Sequence, residues 1–546
     1  MVLAGLAAAG PAAAQTAGSQ ATTVRPSGVL VEPERYDRPP PGRRRSAREV
    51  LRAAEAVAAV RAVRAANPRA YVRAYLAERG GWQVSLFVPP TGGEPRREEL
   101  AQVLVDDRSG RVREAWTGVQ VAWPMARGYP GAFARAVNSP WVWIGLCALF
   151  VLPFLRRPLR LLHLDLAVLL AFSVSYAFFG AAELAVSVPS AYPLLAYLLV
   201  RMLLVAARPP TAVPRLLVGP GFLLLAIVFL AGFRVALNVT DGNVIDVGYS
   251  GVIGADLLAG GGPVYGAFPP DDDHGDTYGP VAYAAYVPFE ALWPWRGSWD
   301  DLPAAHVAAL AFDLGCALLL WLLGRRLRGQ ELGLLLAYLW MTYPFTLMVA
   351  NSGANDSLVA LLVIAALLAA TRDGRAAAAS RGALVALAGL TKFAPLALAP
   401  LFATYRASGR RTVLASGLAF AVVVGLVLAP FDLGVFWDRT LGFQQDRDSP
   451  FSIWGRYDLP GWSQTAAQAA AALLALALAF VPRRRDAATL AALSAAVLIA
   501  LQLAVDHWFY LYLVWFAPLV WVASLTPAQG AGSARSSPPA AAPTPG

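Results

Sequence analysis

Apolar runs at 141–155, 162–180, 189–206, 214–236, 303–323, 331–350, 355–371, 412–430, 464–481, 487–503 and 508–524 constrain this chain more than anything else in it. A helix needs about 20 residues to cross the hydrocarbon of a bilayer. Inside lipid, only helices and closed barrels satisfy their own backbone. Charged residues are 15% of the 546 and hydrophobic ones 57%, whereas an ordinary soluble domain carries about 25% charge. The expectation is a polytopic α-helical membrane protein with about 11 crossings. The net charge of +10 does not imply nucleic acid, because most of the arginine lies between the apolar runs. Cys147 and Cys316 each fall inside a run, so they read as buried thiols and not as a disulfide framework.

The arginines also orient the chain. One set of connections holds Arg156, Arg157 and Arg160, then Arg208 and Arg215, Arg325, Arg326 and Arg328, Arg372, Arg375 and Arg381, and Arg483 to Arg485. The alternate set holds only Arg296, Arg439, Arg447 and Arg456. By the positive-inside rule the first set is cytoplasmic, which places the long loop 237–302 outside. The expected location is a bacterial-type plasma (inner) membrane. The segment 382–404, GALVALAGLTKFAPLALAPLFAT, disturbs the alternation, since a single crossing would invert every later loop. Lys392 and Pro395 lie in its middle, one costly in lipid and the other unable to donate a helix hydrogen bond. We read it as a re-entrant pair of half-helices from the cytoplasmic side, with Lys392 near the tip. A kinked helix with Lys392 snorkelling is the competing reading.

Outside the membrane part, residues 1–14 read as a signal peptide, with Ala12 to Ala14 fitting a small-residue cleavage pattern. Residues 15–45 read as a disordered linker and 526–546 as a disordered tail. Residues 46–137 suggest a small extracytoplasmic α+β domain, ahead of a transmembrane region over 138–525. Ser46 to Ala66 has helical apolar periodicity, and Ser46 with Glu49 forms a capping-box pattern. Strand-like runs follow at Trp82–Val88, Ala101–Val105 and Val112–Trp116, with a turn expected at Asp107–Gly110. This helix followed by a meander, with VLVDDRSGRVREAW, resembles the PepSY domain.

The outer loop 238–301 supplies the densest carboxylates: Asp241, Asp246, Asp256, Asp271, Asp272, Asp273 and Asp276. A long loop of this kind beside a membrane is usually functional or disordered. Asp271 to Asp276 could hold a divalent cation through oxygen ligands. The cluster lacks EF-hand spacing, however, so a solvated acidic loop is favoured and no cofactor is expected. Asn355-Asp356 begins a later apolar run on the outer side, where capping a helix would alone explain it. A Walker loop, HExxH and Cys/His metal spacing are all missing from the sequence.

A resemblance joins these pieces. FRVALN, then VIDVGYSGVIGADLLAGGGPVYG and YGPVAYAAYVPFEALWP, resemble the first outer loop of GT-C fold glycosyltransferases, near the family 87 polyprenol-phosphate-mannose-dependent mannosyltransferases. NSGANDSLVALLVIAALLAA, GLTKFAPLALAPLF and HWFYLYLVWFAPLVWV resemble later segments of that family, so the likeness spans about 214–525. It implies a GT-C-like membrane glycosyltransferase. That enzyme would move a hexose, mannose foremost, from a polyprenyl-phosphate sugar to an envelope lipid or glycan acceptor outside the cytoplasm. On this resemblance Asp246 is the candidate base, with Asp241 the runner-up. Asn355, Asp356, Lys392, Arg447, His507 and Tyr278 are candidate substrate-binding residues. The chemistry fits these residue types: a carboxylate can deprotonate an acceptor hydroxyl, and the arginine fork suits a leaving phosphate. Helix capping for Asp246, salt bridging for Arg447 and an interfacial aromatic belt around His507 are the structural alternatives. As functions, a transporter or flippase of a lipid-linked glycan, or a non-catalytic sensor or assembly protein, stands against the enzyme.

Overall fold

The computed structural model describes residues 31–527 except 78–80, 90–98, 129–134, 157–159, 212–213, 270–271, 300, 406–408, 446–448, 458 and 482–485. The expected signal peptide, the first half of the linker and nearly all of the tail lie outside these residues.

The N-terminal domain is α+β. Helix α1 (Ala47–Glu55) starts at Ser46, and both halves of the Ser46–Glu49 capping box form. The single helix expected to Ala66 is broken: Val57 is extended, and α2 (Ala58–Ala66) sets off in a new direction. The break lets α1 lie across all four strands while α2 covers the last two. The strands are β1 (Tyr71–Ala77), β2 (Gly81–Phe87), β3 (Glu99–Asp106) and β4 (Val112–Thr117), an antiparallel meander in the order β1-β2-β3-β4. Strand β1 has no counterpart among the sequence expectations. The expected turn at 107–110 is present, with Gly110 at φ +70 and the Ser109 amide donating to Asp106. Residues 31–45, read as linker from composition, are bound to the domain instead. The Leu76 amide donates to the Val31 carbonyl at 2.9 Å. The Asp107 carboxylate accepts from the Arg44 and Arg45 amides and from the buried Trp82 indole.

Among the described residues six helices are long and apolar enough to cross a bilayer: Leu161–Gly180, Leu184–Ala207, Pro220–Asp241, Pro303–Arg328, Arg410–Leu428 and Ala487–Ala504. A bent pair, Gln330–Thr342 with Pro344–Asn351 at 61°, makes a seventh if taken as one span. Other runs expected as crossings fold shorter. Asp356–Ala369 has 14 residues and Leu513–Leu525 has 13, less than the roughly 20 a straight crossing needs.

The bend is held by one buried cation. Pro344 has no amide to donate, and Tyr343 is extended, so the carbonyls of Trp340 and Met341 lose helix partners. Arg234, 1% exposed, donates to both, at 3.0 and 2.9 Å, and to Thr346 Oγ1 at 2.8 Å. Its charge is balanced by Asp313 at 2.8 Å.

The segment around Lys392 doubles back on itself. Helix Arg375–Gly389 rises to a turn at 390–393, and the chain comes back through Ala394–Leu398 and Ala399–Thr404. Arg381 ties the two limbs, donating to the Phe402 carbonyl at 3.3 Å and the Tyr405 carbonyl at 3.0 Å. It is 2% exposed, so it belongs to the interior and not to a cytoplasmic connection.

Candidate functional site

Asp246 is the first residue of helix Asp246–Ala259. The loop before it lies along the turn that follows Asn351. The Asn243 amide donates to the Asn351 carbonyl at 3.0 Å, and the Ile245 amide to the Ser352 carbonyl at 2.9 Å. A Cβ at Gly248 would come within 2.4 Å of the Gly353 carbonyl oxygen, so helix and turn touch backbone to backbone. Gly353 itself sits at φ +66. Tyr286 closes the contact with its hydroxyl on the same carbonyl at 3.2 Å. Asp246 is therefore fixed beside the turn leading into Asn355 and Asp356. It is half-buried, at the positive end of its helix, and its carboxylate takes no hydrogen bond from the described residues.

One turn along, Ser250 Oγ lies 2.7 Å from the Asp246 carbonyl and 2.7 Å from Asp272 Oδ2. The acidic cluster is thus divided, not gathered. Asp272 turns inward to Ser250, while Asp276 is buried in a forked pair with Arg439, Nε to Oδ2 at 2.6 Å and Nη2 to Oδ1 at 2.8 Å. That pairing raises the Arg439 guanidinium above its ordinary range. Asp271 lies outside the described residues.

The second half of the site is a buried ion pair. Lys392 Nζ is 2.8 Å from Asp356 Oδ1, with side chains 8% and 0% exposed. The Trp515 indole donates to the same oxygen at 3.0 Å. Three rings surround the ammonium: Tyr278 at 5.3 Å, Tyr512 at 5.5 Å and Trp515 at 5.7 Å, within cation–π reach. Tyr278 is placed by the Gly279 and Val281 amides, which donate to the Thr391 and Leu390 carbonyls. There is no room for a side chain at Gly279, where a Cβ would stand 2.0 Å from the Leu390 oxygen. Asn355 occupies the cap position of helix Asp356–Ala369, yet its side chain makes no capping bond. Both its amide atoms and Asp356 Oδ2 are buried and unpartnered among the described residues.

His507 stands at the far edge. Its Nδ1 is 2.8 Å from Ser449 Oγ, and its ring lies 6.3 Å from Tyr512, one of the three around Lys392. A contact from outside the expected set joins it. Trp123, in the segment leaving the N-terminal domain, packs edge-on against Phe451 at 4.5 Å and 6.4 Å from His507. The same segment reaches Asp241, whose Oδ2 accepts from the Ala136 amide at 2.5 Å. Asp241 ends helix Pro220–Asp241 and is tied to the connecting segment, unlike Asp246. Arg447, the favoured phosphate ligand from sequence, lies outside the described residues.

Contacts link Asp356, Lys392, Tyr278 and His507 through Trp515 and Tyr512, Asp246 lies beside the turn that leads to Asn355 and Asp356, and Asp241 accepts from the Ala136 amide. Trp515, Trp123, Ser250 and Ser449 were not expected there. The AWP motif before the first apolar run was the available signal for Trp123, and the aromatic final run for Trp515.

The model of glycosyltransferase family 87 matches residues 277–506. That span contains Tyr278, Asn355, Asp356, Lys392 and Arg447, so the family resemblance read from the sequence is borne out over the region that forms the ion pair. The match is narrower than the 214–525 expected and does not reach the N-terminal domain. No curated protein matches the chain. The matched region is thus similar to a glycosyltransferase family, and the apolar helices suit a multi-pass membrane protein.

Proposed function

We propose that this chain, similar to glycosyltransferase family 87 across its central region, is a GT-C type enzyme. It transfers a hexose, mannose foremost, from a polyprenyl-phosphate carrier to a hydroxyl of an envelope lipid or glycan on the outer side of the plasma membrane. The observation that carries this reading is the setting of Asp246: a half-buried carboxylate with no described partner, held rigidly beside the turn that leads to the Asp356–Lys392 pair. Asp246 takes the proton from the acceptor hydroxyl as its oxygen bonds to the anomeric carbon. The anomeric carbon–oxygen bond to phosphate breaks, and its electron pair leaves with the phosphate. A positioned base of this kind contributes about 10²–10⁴-fold. Lys392 acts mainly on the shape of the site, because Asp356 already neutralises it. Direct phosphate binding falls to Arg447.

The test is transfer from radiolabelled polyprenyl-phosphate mannose, and in parallel the glucose donor, to extracted envelope lipids by the purified protein. Asp246→Asn is expected to lower the rate at least a hundredfold with an unchanged melting profile, and Asp241→Asn to keep it within a few fold. Wild-type protein that transports a lipid-linked glycan in vesicles but transfers no sugar would replace the enzyme by the flippase. Full activity in Asp246→Asn would remove the base from this residue.

A further inference from the structure

A second charged site lies at the other end of the re-entrant segment. Helices Arg375–Gly389 and Arg410–Leu428 run parallel and touch closely: a Cβ on Gly382 would stand 2.0 Å from the Ser416 carbonyl oxygen. Their first turns line one cavity, formed by Gly374, Arg375, Gly409, Arg410, Arg411 and Thr412. Parallel helices side by side bring two positive dipole ends together, each worth about half an elementary charge. Three guanidinium groups add to them. All three arginines are exposed, and none has a carboxylate or hydrogen-bond partner among the described residues. The cavity therefore concentrates positive charge, with Asp373 the neighbouring carboxylate in the chain.

What lies next to it identifies the counter-charge. Leu414, Leu418, Val422 and Leu426 follow the arginines at every fourth residue of the same helix. They are 67, 67, 47 and 70% exposed. Residues four apart share one helix face, so the cavity opens onto an uncovered apolar stripe on a helix long enough to cross the bilayer. A free anion would use the arginines and leave the stripe. A molecule with an anionic head and an apolar chain uses both. Basic pockets between membrane helices at the lipid headgroup level take such molecules.

We propose that this cavity binds the phosphodiester headgroup of an anionic glycerophospholipid, with an acyl chain lying along the Leu414–Leu426 stripe. The site is separate from the proposed transfer site. Helix Arg375–Gly389, with 15 residues, puts about 20 Å between the cavity and the Lys392 turn. It stands whether or not the chain transfers sugar.

The experiment uses full-length protein purified in neutral detergent, titrated with phosphatidylglycerol, with phosphatidylcholine and with inorganic phosphate. Bound lipid is counted by native mass spectrometry, and stability is followed by thermal melting. Phosphatidylglycerol should be retained and should raise the melting temperature; phosphatidylcholine should do neither. The R375Q/R410Q/R411Q variant should weaken retention about a hundredfold, from the contribution each basic residue makes beside an anionic headgroup. L414Q/L418Q keeps the arginines and should weaken the lipid while leaving any response to inorganic phosphate unchanged. If the triple variant does not fold, R410Q alone should weaken retention several-fold. Equal retention of the two lipids, retention unchanged by the arginine substitutions, or displacement of the lipid by equimolar inorganic phosphate would each overturn the proposal.

Discussion

Removing Lys392 should cost more stability than removing the charge of its partner. Asp356 is fully buried, and its two oxygens have two described donors between them, Lys392 Nζ and the Trp515 indole, both on Oδ1. In Lys392→Met the carboxylate keeps only the indole. Stranding one member of a buried pair typically costs about 3–5 kcal/mol. In Asp356→Asn the ammonium keeps the faces of Tyr278, Tyr512 and Trp515. Each face returns about 0.5–2 kcal/mol when desolvated, so this variant should lose only about 1–2 kcal/mol. The double variant removes both charges and should be more stable than Lys392→Met, with a coupling of about 2 kcal/mol. Reversible unfolding in mixed micelles, followed by Trp fluorescence for all four proteins, gives the cycle. Equal losses in the two single variants, or the reverse order, would refute the claim that the rings carry part of the ammonium's stabilisation. A coupling near zero would refute the ion pair itself.

Gly279→Ala should destabilise severely and abolish transfer, since its Cβ would sit 2.0 Å from the Leu390 oxygen and push Tyr278 off Lys392; thermal melting and the transfer assay report both. Trp123→Ala should lose about 1 kcal/mol of ring contact with Phe451 and lower transfer several-fold, with Trp123→Phe recovering most of it. In the N-terminal domain, burial pushes the Glu99 carboxyl up to about 7. The unfolded chain ionises Glu99 near the ordinary value of 4.5, so the domain's full stability is present below that pH. It is lost progressively as pH rises towards about 7 and is flat above, by a few kcal/mol in all. Hydrogen exchange of β3 amides across this window measures it, and Glu99→Gln should abolish the slope.

Local signals were the readable ones. Ser46 with Glu49 gave a helix start, Asp107–Gly110 a hairpin turn, and Lys392 with Pro395 a place where a plain crossing would strand a charge. In each, the physical cause lies within a few residues. The break at Val57 could not be read, because α1 and α2 each have good helical patterns and part only in how they lie on the sheet. Two runs, 355–371 and 508–524, were read longer than their helices for a related reason: an apolar run shows what is buried and not where its helix stops. At the site, the resemblance located Asp356 and Lys392 but not their pairing, which joins residues 36 apart. The hold of Trp123 on the His507 region spans far more chain than any periodicity covers.

Arg234 has a consequence at a distance from itself. By gripping the carbonyls released at Tyr343–Pro344, it sets the direction in which Pro344–Asn351 departs, and the end of that short helix is where the loop bearing Asp246 finds its backbone partners. The aim of a surface carboxylate is thus fixed from inside the bilayer, like a lamp set by a joint farther down its arm. A lesion at Arg234 would be felt first as a misdirected reagent. Gentle warming should silence such a variant well before its helices melt.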